Sequence, residues 1–228
     1  MRRYGIYFRT AVVALIMIMA GISPLRGERV AEAVDTLTAR DVFVNMPLKN
    51  LEILSRSTRL DMLDYYDVDS IYQAVNGMEG FSELVKVTPD FLEVKITPVT
   101  RLSIMMLRKN KGPEALTLYT VGGNGQAEDT DLTFIGSDLQ ELPRDKYIKY
   151  PSLDDFFDYP DKEEKKRVAD AVPFPTIEFT ADPATGDLSA RLTVGQFMDE
   201  KIYEHIRKFM KPSILYRWKG KRYELEKK

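Results

Sequence analysis

The sequence predicts an α+β fold built mainly on antiparallel sheet, a meander plus hairpins with helices packed on it. Three observations predict it. From Phe81 to about Ile135 apolar residues recur at every second position, whereas the flanking stretches recur at helical spacing. Connectors in that region are short, as in "NKGPE", which suits hairpin turns and not crossover units. Along the chain the order is helices, strands, helix, strands, helix, strands.

The elements follow in order. "DVFVNMPLKNLEILSRSTRLDMLDYYDVD" reads as helix, with Pro47 at a first helical position and Leu48, Leu51 and Leu54 on one stripe. Thr58 and Asp61 have the spacing of a capping pair for a second helix carrying Leu60, Met62 and Leu63. Asn76-Gly77 signals a turn. Leu92, Val94 and Ile96 then alternate with Glu93 and Lys95, giving one buried and one wet face. "RLSIMMLR" and "ALTLYTV" are fuller apolar runs, as central strands covered on both faces require, and "DLTFIG" closes the series. A helix is expected over about 152–171. "FPTIEFT" and "DLSARLTV" then form a hairpin through "ADPATGD", and "FMDEKIYEHIRKFM" is amphipathic. "SILYRWKGKRYEL" reads as a tight hairpin about Lys219-Gly220, with Tyr216 facing Tyr223 and Arg217 facing Arg222.

The N-terminus carries an address. Arg2, Arg3 and Arg9 precede the uncharged run "TAVVALIMIMAGIS", and Pro24 and "LRGER" follow it. That order predicts a signal peptide over residues 1–33, cut somewhere between 20 and 33. Fourteen helical residues reach only about 21 Å, short of a hydrocarbon core of about 30 Å, so no transmembrane span is expected after cleavage. The remainder, 34–228, is expected to be a single domain, with 34–150 and 151–228 as its halves. Removing residues 1–33 takes away five Arg and two Glu, moving the net charge from −2 to −5. An acidic, exported body is not a nucleic-acid binder. There is no cysteine, which excludes disulfides, thiol catalysis, cysteine metal sites and lipid attachment through an N-terminal cysteine.

Clustered acids raise the question of catalysis. In "PSLDDFFDYPDKEEKKR", Ser152 and Asp155 match a capping box, and acids lead bases as the helix dipole favours. Asp161–Lys165 and Glu163–Arg167 have the spacing of i,i+4 ion pairs. A glycosidase needs two carboxyls about 5–10 Å apart across a cleft, and Asp154 and Asp155 have no identifiable partner. A metal stripe of Asp154, Asp158 and Asp161 would require Pro160 not to break the helix. His205, the one histidine, is read as bordering a buried helix face between Ile202 and Phe209. "VGGNGQAEDTDL" lacks phosphate-loop and calcium-loop spacing, so Glu128, Asp129 and Asp131 are read as part of a hairpin connection. Neither a metal nor a cofactor is expected. "RDKYIKYP" and the last hairpin interleave bases with tyrosines. With Arg217 opposite Arg222 and Lys219 and Lys221 beside them, like charges oppose unless an anion relieves them. Those four residues are the candidate binding site for an anionic partner.

The stretches "FVNMPLKNLEIL", "NGMEGFSELVKVTPDFLEVKIT", "ELPRDKYIKYPSLDDFFD" and "PSILYRWKGKRYEL" resemble the domain-of-unknown-function family 3256, exported proteins of Bacteroides-type bacteria. The resemblance implies export to the periplasm or the cell exterior and a shared α+β fold, and it carries over no catalytic residue. The expected function is non-catalytic binding of an envelope protein, glycan or lipid headgroup. The alternative is a small hydrolase of envelope glycans using Asp154 or Asp155.

Overall fold

Thr38 opens the first helix, α1 (Ala39–Asn45), through a capping box with Asp41: the Asp41 N–H donates to the Thr38 hydroxyl at 3.2 Å and the Thr38 N–H to the Asp41 carboxylate at 2.8 Å. Helix α2 (Arg56–Asp67) is capped by Ser55, whose hydroxyl accepts from the Thr58 N–H at 3.1 Å. The cap is therefore Ser55, not Thr58, and the helix starts earlier than the spacing predicted. Leu51 to Leu54 form a tight turn and not the expected α-helix, although both leucines are buried. The predicted helix start at Pro47 lies outside the described residues. Arg59 of α2 reaches back to the carbonyls of Phe43 and Met46 at 2.7 and 3.3 Å, satisfying the open C-terminal end of α1.

The computed structural model describes residues 37–46, 51–68, 73–109, 112–122 and 127–226. The expected signal segment, 1–33, lies outside them. Among the described residues no helix is long and apolar enough to cross a membrane.

Seven strands follow: β1 (Gln73–Val75), β2 (Phe81–Val87), β3 (Phe91–Thr97), β4 (Thr100–Leu107), β5 (Glu114–Val121), β6 (Asp129–Ile135) and β7 (Glu141–Leu142). They pair in sequence order, each antiparallel to the next, so the predicted meander is correct. The Asn76-Gly77 turn is held by a buried side chain. The Asn76 amide donates to Ser82 Oγ and the Ile96 carbonyl, each at 3.1 Å, and its oxygen accepts from the N–H of Met78 and Gly80. Leu92, Val94, Ile96, Leu102, Ile104 and Met106 face α1 and α2 and form one core with Phe43, Met46, Leu51 and Leu54. Burying each such side chain contributes about 1.5–3 kcal/mol.

The opposite face of the meander carries Phe91, Met105, Leu116, Leu118, Leu132 and Phe134. It packs on a second sheet of β8 (Ile177–Ala181), β9 (Leu188–Leu192), β10 (Ile214–Trp218) and β11 (Tyr223–Leu225), in the order β11-β10-β9-β8. Helices α3 (Lys162–Ala171) and α4 (Glu200–Ile206) add Val168 and Ile206 to the same core. The architecture is α+β and mainly antiparallel, as predicted, and the strands divide into two sheets.

The helix expected over 152–171 is in two pieces. Leu153–Phe156 is a short 3-10 turn; α3 begins at Lys162, capped by Asp161, whose carboxylate accepts from the Glu164 N–H at 2.8 Å. Pro160 stands immediately before that cap, outside the helix. Between the pieces the backbone is drawn to the chain after α4: Asp158 N–H donates to the Phe209 carbonyl and Lys211 N–H to the Phe156 carbonyl, both at 2.8 Å. α4 is likewise shorter than its amphipathic stretch, with Phe197 in a preceding 3-10 turn over Val194–Phe197.

Candidate functional site

The last hairpin departs from its predicted register. Tyr216 pairs with Leu225, Arg217 with Glu224 and Trp218 with Tyr223. Lys219 N–H donates to the Arg222 carbonyl at 3.0 Å, closing a four-residue turn over 219–222 in which Gly220 takes φ +75°. Arg217 therefore faces an acid and not Arg222, which corrects the expected like-charge clash. It is bound twice more, to Asp187 at 2.7 Å and Glu226 at 3.3 Å. Burial works to raise the pKa of Asp187. Hydrogen bonds from Arg217, the Trp218 N–H and Thr185 outweigh it and hold this carboxyl below the usual carboxylate value.

The turn rests on an aromatic base. Tyr223 sits 4.9 Å from Trp218, ring to ring, and its hydroxyl donates to the Gly186 carbonyl at 2.9 Å. Its N–H donates to the Tyr147 carbonyl at 2.6 Å, and the Tyr216 hydroxyl donates to the Lys149 carbonyl at 3.1 Å. Tyr147 in turn stacks on Phe134 with centroids 4.4 Å apart. Burial, with Glu114 adding to it, pushes the Tyr147 phenol up to about 12. These contacts bring "RDKYIKYP" against the hairpin, so the two base-and-tyrosine segments share one edge of the molecule. Lys109 is committed there to Glu114 at 2.5 Å and to the Tyr147 ring at 4.3 Å. Arg144 is committed to Asp131 at 3.5 Å and to the Tyr150 ring at 5.0 Å. Lys146, Lys149, Lys219, Lys221 and Arg222 remain exposed, with no ion pair among the described residues. Exposed acids of the same two segments are Asp145 and Glu224, together with Glu226, which pairs with Arg217.

The acids of the 151–167 stretch are occupied by structure. Asp155 accepts from the N–H and hydroxyl of Ser152 at 2.7 and 2.8 Å, closing the predicted capping box. Asp154 is exposed, paired with Lys165 and hydrogen-bonded by the Tyr159 hydroxyl at 3.2 Å. The Lys165 ammonium holds the Asp154 pKa below its ordinary value, the opposite of what a general acid requires. Lys165 therefore pairs with Asp154 and not Asp161, and Arg167 pairs with Glu164 and not Glu163. Asp158 pairs with Lys211 at 3.2 Å. No group of three metal-binding side chains occurs among the described residues.

His205 is half-exposed and meets Glu164 at 2.8 Å, a pairing between α3 and α4 that the sequence did not show. Glu128, Asp129 and Asp131 are dispersed. Glu128 is buried and pairs with Arg191 at 3.3 Å, Asp129 accepts from the Ile177 N–H at 3.1 Å, and Asp131 pairs with Arg144.

Three cavities among the described residues bear on the question of a pocket. An apolar groove of about 490 Å³ runs between the end of α3 and the 194–197 turn, past Val172, Val194 and Met198. Phe174 and Phe197, 87% and 72% exposed, stand beside it, a feature with no periodic signal in the sequence. A second of about 510 Å³ lies between α3 and α4, and a third of about 220 Å³ on the open face of β2–β4. None is lined by two carboxylates, so none offers a glycosidase pair.

The family model described as "Protein of unknown function (DUF3256)" matches residues 31–223. The chain belongs to that family. This DUF3256 chain is also similar to a solved structure described as a domain of an uncharacterized protein from Porphyromonas gingivalis W83. The TM-score is 0.67 at 17% identity, over 83% of this chain and 98% of that one. Such a likeness establishes the fold. No curated protein matches the DUF3256 chain.

Proposed function

We propose that this DUF3256 chain is an exported, non-catalytic binding protein of the cell envelope that engages an anionic partner. The binding edge consists of Lys146, Lys149, Lys219, Lys221 and Arg222. One observation carries the proposal: the Tyr223–Tyr147 backbone bond places two cationic segments side by side on a chain whose net charge is negative. With the Arg217–Glu226 pair set aside as neutral, five cations stand against Asp145 and Glu224, so this edge is locally positive where the whole chain carries −2. Arg217 supports the hairpin from within, through Asp187 and Glu226, and leaves the contact to its neighbours. Export brings the edge to envelope partners, as the N-terminal residue order supports.

The test is retention of the exported form on a sulfated-polysaccharide resin at low salt. Lys221→Glu with Arg222→Glu should elute at clearly lower ionic strength than the native protein. Co-elution of the two would remove the proposal.

A further inference from the structure

The shape of the cationic edge selects among anionic partners. Sites that recognise small molecules are concave, because a cleft surrounds the ligand with contacts. The three cavities described above are lined by none of the five cations. The turn over 219–222 is the reverse of a cleft. A side-chain carbon built on Gly220 would meet no atom within 4 Å, so the tip stands in open space. A convex cluster of cations touches a compact anion with one or two groups at a time. Against an extended plane of anions every cation is in the field at once, and an anionic bilayer surface is such a plane.

The edge is also held in advance of binding. Tyr223 is fixed to Tyr147 and Gly186, Tyr216 to Lys149, and the turn closes on itself through Lys219 and Arg222. The backbone therefore loses little freedom on contact. The remainder of the chain, with its net negative charge, is repelled by the same surface, so the hairpin leads. The large aromatics beneath the tip are turned inward: Tyr223 and Tyr147 are buried, and Trp218 packs on Tyr223. With no exposed apolar side chain over 219–222, the contact made by the tip is electrostatic and rests at headgroup level.

We infer that the edge docks, tip first, on an anionic lipid surface without inserting into it, an inference that rests on the anionic-partner function proposed above. Trp218, the one tryptophan in the chain, adjoins the tip and reports the orientation. The exported form is mixed with vesicles of phosphatidylglycerol and phosphatidylethanolamine in equal parts, or of phosphatidylcholine alone. It should sediment with the first and not the second, and release in about 0.5 M salt as screening shortens to a few ångströms. Lys221→Glu with Arg222→Glu should weaken sedimentation about tenfold or more. Lys162→Glu with Lys166→Glu, the same charge change on α3, should leave it nearly unchanged. Energy transfer from Trp218 to a headgroup-labelled lipid should accompany binding. Equal binding to both vesicle types, equal loss in both variants, or sedimentation without energy transfer overturns the inference. Retention on the sulfated resin without vesicle binding overturns the lipid assignment and leaves the anionic-partner function standing. Failure on both resin and vesicles removes both.

Discussion

The two sheets reach the same antiparallel pairing by different means. The seven-stranded sheet is one continuous meander whose central strands are apolar on both faces, so its pairings are local and its order is the chain order. The four-stranded sheet joins two hairpins across α4, so the β9–β10 pair must close over an intervening helix. Its β8 edge is finished by polar groups of the other sheet: Ile177 and Phe179 donate their N–H groups to Asp129 and Thr130 at 3.1 and 3.0 Å. Glu178 ties Arg101 of β4 to Arg191 of β9 across the same seam. The first sheet is thus built by alternation, and the second depends on side chains that occupy unpaired backbone and charge.

That contrast can be broken most directly in the shared core. Phe179→Ala removes a fully buried ring that packs near Tyr150 and Tyr216, and should cost about 3–5 kcal/mol. Because Phe179 and the meander's Phe134 belong to one core, urea unfolding should remain a single transition at a lower midpoint. Two separated transitions would mean that the sheets are independent. Glu178→Gln comes next. It leaves Arg101 and Arg191 without their common carboxylate and should cost about 1–3 kcal/mol, whereas a purely local second sheet would not respond.

Thr38→Ala, which opens the cap of α1 on the meander's other face, should cost about 0.5–2 kcal/mol. It should leave resin retention unchanged, since the edge rests on Tyr147 and Tyr223 of the other core. The smallest effect is expected from pH. Asp187 has a lowered pKa in the folded chain, so its contribution is complete above the unfolded carboxylate value of about 3.9 and is lost as pH falls through the lower folded value. Urea midpoints followed downward from pH 5 should decline less in Asp187→Asn than in the native protein. Parallel declines would deny Asp187 this role.

Much of the architecture was legible because periodicity is a local record of burial. The alternation through Leu92, Val94 and Ile96, the short connectors and the Ser152–Asp155 box all depend on residues near in sequence. The departures share one cause. Lys165 has a suitable partner four residues away, yet it takes Asp154 across a break created by backbone pairing with Phe209 and Met210. The last hairpin slips by one residue pair relative to the two-residue turn, and a slip of two positions leaves every side chain on its original face. Alternation therefore could not separate the two registers. The Tyr147 carbonyl, the Gly186 carbonyl and the Asp187 carboxylate, all distant in sequence, favour the one observed.

The sequence by itself determined the strand faces, the meander, the turn at Asn76 and the absence of thiol chemistry, because each depends on composition or on neighbours a few residues away. Only the tertiary structure decided which charges remain available. It bound Arg217 to Asp187 and Glu226, joined Lys146 and Lys149 to the hairpin edge, and committed Asp154 and Asp155 to structural bonds. The physical reason is that a charge is neutralised by whatever the fold places within a few ångströms of it, and sequence separation does not report that distance.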